Sequence, residues 1–347
     1  MNILVLAGGI STERDVSFAT GKNVYEAIKK LGHKAIIIDP FMGYDGDIKG
    51  IFDADTDWSK EIEAVKEGNP DINAVKAMRD PKYKGFFGPN VIKLCHEADV
   101  VFVALHGENG ENGRIQAFFD LEGIIYTGTD TTSSAICLNK GIAKEIMAYN
   151  GISTPKGIHI YKGNDTSNTI GYPCVVKSCC GGSSVGVTIV NDEKGYQKAL
   201  DEGFRYDNEV IIEEYVKGRE FSVGVLEGKA LPVIEIIPKT GFYDYKNKYQ
   251  AGATVEICPA QIDENKTKEM QMYAERAFKA LRLRDYARMD FMMSQESGKL
   301  YCLEANTLPG MTVTSLIPQE AAAAGIGFEE LIEKLINMAV ARKNSQC

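Results

Sequence analysis

Four absences bound the sequence before any motif is considered. No basic run reaches five residues, no C-x-x-C pair occurs, no apolar stretch approaches membrane length, and no turn has G-x-G-x-x-G spacing. Lysine and arginine total 39 against 48 acids, a net charge of −9 that repels a polyphosphate backbone, so no nucleic-acid partner is expected. The longest clear apolar run, ADVVFVAL near residue 100, falls far short of the ~20 residues a membrane helix needs, so no membrane partner is expected. Cysteines 95, 137, 174, 179, 180, 258, 302 and 347 lack metal-ligand spacing, and several lie in apolar strands, which points to buried thiols. The opening MNILVLAGG has no basic region and reaches its glycines too early for a secretory signal, so a cytoplasmic location is expected. Internal repeats and low-complexity segments are missing too.

What is present is ordinary globular composition, 44% hydrophobic and 25% charged, on a chain long enough for two or three domains. NILVLA, a glycine turn, an amphipathic stretch from Glu13 to Leu31 and KAIIID read as strand, helix, strand, with Ser11 or Thr12 as cap and Gly32 as closure. A polar stretch over 41–89 reads as an insertion with weak helices at 58–67 and 71–78, and IIYTG closes the first unit as a short strand. A long helix is predicted over 129–149, then YPCVVKS, GGSSVG, VTIV, a helix and EVIIEEYV, which compose a small α+β lobe. The remainder has FSVGVL, ALPVIEIIP, a polar loop over 239–252, a helix over 263–281, a hairpin and terminal helices. Domains are expected at 1–128, 129–212 and 213–347.

The hairpin, RMDFMMSQESGKLYCLEANTLPGMT, carries acid where strands should be greasy. Alternation puts Arg288 and Asp290 on one face of the first strand and Glu304 and Asn306 on one face of the second. Asp290, Glu304 and Asn306 are hard oxygen ligands suited to Mg²⁺ held partly through a substrate's phosphates; the alternative is a polar face turned to solvent. Gly310 in LPGMT lets a bare backbone N–H approach a ligand, and Arg288 adds a fixed cationic fork.

GGSSVG sits between two strands, so it is neither a P-loop nor a dinucleotide turn; its N–H groups and hydroxyls, Ser184 included, can close over phosphates. Lys140 and Lys177 add charge there, unless both are simply solvated. In EEYVKGRE, acids at a strand end are placed to hold an adenine amino group and a ribose, with Glu220 on the hydroxyls. Glu13 stands near a helix start, and His106 ends a strand at the edge where α/β sheets bind ligands.

ERDVS, ALHGENGENG, the GGSSVG flap, EEYVKGREFS, FYDYKNKY and RMD with LEANTLPGMT and SLIP, in this order, closely resemble the D-alanine:D-alanine ligase family of ATP-grasp enzymes over nearly the whole chain. The resemblance implies a three-domain α/β ATP-grasp fold with an N-terminal Rossmann-like parallel sheet. It implies ATP and two Mg²⁺ ions (Mn²⁺ as substitute) on Asp290, Glu304 and Asn306, D-alanine as substrate and a homodimer. Lys140 and Lys177 match phosphate-side lysines, Glu213, Tyr215 and Val216 the adenine-holding strand end, Glu220 the ribose acid, and Lys248 a γ-phosphate lysine. Glu13, Ser183 and Tyr249 match a trio that orders the first D-alanine, and His106 a histidine beside it. Arg288 and the Gly310 N–H match oxyanion donors, and Ser315 and Leu316 the site for the second substrate's carboxylate.

Departures are Ser178 in place of a common proline, Cys179 and Cys180 before the flap, Asn112 in place of Asp, and Glu214 where some relatives carry lysine. Tyr249 favours an amine as second substrate over D-lactate, and leaves D-alanine and D-serine both open. The rival from another class is an ATP-binding regulator without turnover. A dehydrogenase fits least, because the first turn lacks its glycine spacing.

Overall fold

The computed structural model describes residues 1–60, 70–182, 186–239, 241, 247 and 252–344. Strand β1 (Asn2–Leu6) is buried from Ile3 onward, as a central parallel strand requires. It pairs in parallel with β2 (Lys34–Ile38) and β3 (Val100–Val103), giving the order β2-β1-β3. Helix α1 (Arg14–Lys30) links β1 to β2. Its end is the predicted glycine closure: Gly32 has φ +82°, and the His33 N–H donates to Ile28 O at 3.2 Å. Its start differs from expectation. Neither Ser11 nor Thr12 caps it; Glu13 occupies the cap position without a side-chain cap bond, while Ser11 Oγ accepts from the Glu13 N–H.

In the 41–89 stretch a short 3₁₀ turn (Ile51–Asp53) and α2 (Ile72–Met78) form, followed by α3 (Val91–Glu97). The helix expected at 58–67 lies mostly outside the described residues. Buried Arg79 organises the stretch, donating to the carbonyls of Phe41, Tyr83, Gly85 and Phe86. After α4 (Arg114–Glu122), the strand expected at IIYTG reduces to a single bridge, Val101 to Tyr126. The next rung is lost because the Val103 N–H donates to Thr127 Oγ1 at 3.0 Å, while the Tyr126 and Gly128 carbonyls face away from β3 and accept from Arg342.

Contact clustering divides the chain into two compact units, Met1–Ser134 with Arg284–Ala287 and Thr307–Cys347, and Ala135–Leu283 with Arg288–Asn306. The helix predicted over 129–149 is two helices, α5 (Thr131–Leu138) and α6 (Lys140–Tyr149). Asn139 breaks it, with extended φ and ψ and a side chain that accepts from Ile142 N at 3.0 Å, the preference of asparagine at an N-cap.

The second unit has two sheets. Strands β4 (Gly157–Tyr161), β5 (Cys174–Ser178), β6 (Val187–Val190) and β7 (Glu209–Glu214) form an antiparallel sheet of order β4-β7-β5-β6. Helix α7 (Glu193–Gly203), capped by Asp192, lays Tyr196, Ala199 and Leu200 on Val176, Val210 and Ile212. GGSSVG thus joins paired antiparallel strands, as expected. The other sheet comprises β8 (Gly218–Leu226), β9 (Lys229–Ala230), β10 (Ile234–Pro238), β11 (Thr254–Ile257), β12 (Tyr286–Ser294) and β13 (Leu300–Asn306), in the order β11-β10-β8-β12-β13 with β9 on β8. Helix α8 (Glu264–Ala280) packs on it, and α9 (Leu316–Ala323) and α10 (Phe328–Asn344) complete the first unit.

Cysteines 95, 137, 174, 179 and 302 are buried and 180 and 258 half-buried, all as free thiols; Cys347 lies outside the described residues. Burial pushes the Cys95 thiol up to about 12. No helix among the described residues is long and apolar enough to cross a membrane.

Leu200 is fully buried under the four-stranded sheet. Leu200→Ala is expected to cost about 2–5 kcal/mol in urea unfolding followed by circular dichroism.

Candidate active site

Strands β12 and β13 place their polar residues in register. Arg288 lies opposite Asn306 and Asp290 opposite Glu304, so all four side chains share one face, with a register shift directly after Asp290. Asp290 is buried and accepts four hydrogen bonds: from Arg288 Nε and Nη2, each 2.9 Å, from Asn306 Nδ2 at 2.9 Å and from Ser222 Oγ at 2.8 Å. Lys140 Nζ lies 3.3 Å from Glu304 Oε2. Two carboxylates directly opposite each other repel, and a cation bridging them removes that cost. With the Asn306 amide beside them, they make a hard-oxygen set that fits Mg²⁺.

A cavity of 380 Å³ in the second unit is lined from both of its sheets. Lys140, Lys177, Glu213, Tyr215, Val216 and Glu220 all line it, as do Asp290 and Glu304. The described residues predicted for ATP therefore converge on one cavity with two of the predicted metal ligands. Val175, Ile189, Ile236, Met292 and Leu303 supply apolar lining for a flat ring, and Gly181 and Gly182 bring the base of the glycine-rich hairpin to it. Lys140 Nζ also donates to Gly181 O, which ties α6 to that base. Ser183, Ser184, Lys248 and Tyr249, also predicted for the site, lie outside the described residues.

Glu213 takes a position that alternation along β7 dictates. It points inward, 1% exposed, while Glu214 turns outward and accepts from the Lys156 N–H at 2.9 Å. Glu213 Oε2 pairs with Lys177 Nζ at 2.7 Å, and Oε1 with Lys144. Lys144 had not been singled out from the sequence. Its signal is spacing: four residues after Lys140 on α6, it shares that lysine's face. Burial, reinforced by the charge of Lys177, holds its amine well below the usual lysine range.

The first unit gathers the residues predicted for amino-acid substrates. Glu13 lies against Gly107, the neighbour of His106, past the C-terminal end of β3: a Cβ on Gly107 would come within 2.7 Å of Glu13 Oε2. Both ring nitrogens of His106 bond to protein, Nδ1 to Leu308 O at 2.8 Å and Nε2 to Thr20 Oγ1 at 3.0 Å. Gly310 lies against Ser315, whose Oγ a Cβ at 310 would approach to 2.9 Å. Ser315 Oγ accepts from Thr312 N at 3.1 Å, and Ser315 and Leu316 begin α9. Glu111, also passed over in the sequence, accepts from the N–H groups of Gly107 and Leu308 at 2.9 and 3.1 Å.

Two sheets around a cavity lined by Lys140, Lys177 and acidic side chains, with the base of a glycine-rich hairpin at its edge, define an ATP-grasp fold. Residues 2–129 and 147–337 match the family models for the D-ala D-ala ligase N-terminus and C-terminus. The chain is 42% identical over 346 residues to a D-alanine–D-alanine ligase of Pediococcus pentosaceus, covering 97% of each chain. A crystal structure of the D-alanine–D-alanine ligase from Bacillus anthracis complexed with ATP superposes with a TM-score of 0.77 at 29% identity, covering 100% of both chains. A D-Ala:D-Ser ligase from Enterococcus faecalis gives 0.74 at 30% identity, over 97% of this chain and 99% of that one. The chain belongs to the D-alanine–D-alanine ligase family.

Replacing Glu213 by Gln strips the shared acidic partner from buried Lys144 and half-buried Lys177. The expected loss is about 3–5 kcal/mol of unfolding free energy, read by urea titration at neutral pH.

Proposed function

We propose that this chain joins two D-alanine molecules into D-alanyl-D-alanine at the expense of ATP, releasing ADP and phosphate. The observation that carries the proposal is the convergence of Lys140, Lys177, Glu213, Tyr215, Val216 and Glu220 with Asp290 and Glu304 on one cavity. Family membership supplies the amino-acid chemistry.

A carboxylate is a poor electrophile, so one D-alanine is first phosphorylated on its carboxylate, and the acyl phosphate then accepts the amine of the second. Phosphoryl transfer of this kind is mainly positioning and electrostatics. Lys140 and Lys177 clamp the phosphates, Tyr215 and Val216 border the adenine, and Glu220 accepts from the ribose hydroxyls. Two Mg²⁺ ions held by Asp290, Glu304 and Asn306 would neutralise charge on the transferring phosphoryl group. Arg288, oriented by its fork on Asp290, is a donor to the oxyanion of the second step, and the Gly310 N–H is another. Ser315 and the N-terminal turn at Leu316 offer a hydroxyl and backbone N–H groups to the carboxylate of the second substrate. The same reading carries a cytoplasmic homodimer, built from the domains 1–128, 129–212 and 213–347, that makes the dipeptide for peptidoglycan precursors.

Incubation with ATP, Mg²⁺ and D-alanine is expected to yield ADP, phosphate and the dipeptide in equal amounts by mass spectrometry. ATP binding without phosphate release would identify a regulator instead. D-Serine and D-lactate in competition identify the second substrate, with D-alanine expected to dominate. Glu304→Gln is expected to lower kcat by about 10²-fold or more in a folded chain, and an unaffected rate overturns the hairpin assignment. Because the attacking amine must be neutral, the rate should rise about tenfold per pH unit until the amine titrates.

A further inference from the structure

The turn from Leu308 to Met311 is anchored on both sides of Gly310, by His106, which the family resemblance sets beside the first substrate, and by Thr20 and Glu111, which it leaves without a part in the reaction. His106 Nδ1 lies 2.8 Å from the Leu308 carbonyl oxygen, which can only accept, so Nδ1 carries the proton. In the neutral ring Nε2 is then an acceptor, and the partner 3.0 Å away, Thr20 Oγ1, must donate to it. With its proton directed at the ring, the Thr20 oxygen turns its lone pairs to the Met311 N–H, 3.5 Å away. Every bond of the relay thus has one allowed direction. Thr20 is 1%, His106 6%, Leu308 3% and Met311 1% exposed, so water competes for none of these groups.

Glu111 fixes the other side of the same residue, accepting from Leu308 N at 3.1 Å while its second oxygen accepts from Gly107 N. Between the two anchored residues lie only Pro309, with φ fixed by its ring, and Gly310. A glycine there is required for space, since a Cβ would meet Ser315 Oγ at 2.9 Å, yet it leaves the least self-restrained backbone of any residue. Direction for the Gly310 N–H has to come from its neighbours.

We propose that Thr20 and His106 are positioning residues that aim the Gly310 N–H through a directed relay, Met311 N–H to Thr20 Oγ1, Thr20 O–H to His106 Nε2, and His106 Nδ1–H to Leu308 O. The proposal rests on the reading of Gly310 as an oxyanion donor. It assigns His106 to the backbone of the turn, and places Thr20, on the buried face of α1, in support of the reaction without touching substrate.

The test compares Thr20→Val, which keeps shape and removes the hydroxyl, with Thr20→Ser, which keeps the hydroxyl, in the full chain. Thr20→Val should lower kcat for dipeptide formation about 10- to 100-fold, the scale of a misplaced catalytic group, with the KM for ATP within about twofold of the unsubstituted chain. Thr20→Ser should stay within about threefold. A Thr20→Val enzyme as fast as the unsubstituted one, or a Thr20→Ser enzyme as slow as Thr20→Val, overturns the relay. Long-range ¹⁵N–¹H NMR of the histidine rings at pH 8 needs no turnover: His106 should be the Nδ1–H tautomer, and an Nε2–H tautomer overturns the relay even if Thr20→Val does not fold. Absence of dipeptide from the unsubstituted chain would instead refute the ligase reading, while the ring tautomer still judges the relay.

Discussion

Asp290 and Glu304 face each other across neighbouring antiparallel strands, and the side chains around them answer the resulting repulsion. Asp290 is neutralised by the forked Arg288 two residues earlier on its own strand, and its remaining lone pairs take Ser222 and Asn306. Glu304 is met by Lys140, at the start of α6, and α6 packs on β13. One turn later the same helix delivers Lys144 to Glu213, which also holds Lys177. The chain of pairs runs from the hairpin through a helix to the other sheet of the unit. Each of these three carboxylates thus meets at least one basic side chain, in a protein whose overall charge is −9.

The first unit solves a different problem. Its parallel sheet directs Glu13 and His106 to one edge, and the same unit holds a turn containing Pro309 and Gly310 whose backbone groups are proposed to act in the reaction. Backbone groups cannot be selected by changing their own side chain, so their direction is set by what surrounds them. That is the part Glu111, His106 and Thr20 play around Leu308 and Met311.

How far the sequence was legible follows from the range of each signal. The hairpin was readable because two-residue alternation is local, and Arg288, Asp290, Glu304 and Asn306 do share a face; their registry across the strands needed the structure. The break at Asn139 was missed because 129–149 has continuous helical composition, and only the N-cap preference of asparagine marked it. IIYTG has strand composition, yet the Val103 N–H that would extend its ladder is taken by the Thr127 side chain. Lys144, Glu111 and Thr20 carry no local mark of function, because their partners come from distant segments. His106 was correctly placed at the sheet edge, whereas the engagement of both its nitrogens depends on a turn two hundred residues on.

Pairing lysines with carboxylates inside the cavity has a consequence for how ligands enter. Lys140, Lys144 and Lys177 are poorly hydrated where they stand, and Glu304 and Glu213 offset part of that desolvation cost before any ligand arrives. A phosphate group reaching Lys140 competes with Glu304, so its gain is the difference between two charge-assisted contacts rather than the whole of one. The cost falls if Glu304 finds another cation at the same moment. Since Glu304 faces Asp290 on the strand next to it, a divalent ion held by that pair would release Lys140 for phosphate, and phosphate on Lys140 would release Glu304 for the ion. Such coupling is reciprocal by thermodynamic necessity. A ligand that brings phosphate and divalent cation together would meet both demands at once, as the proposed metal-complexed nucleotide does.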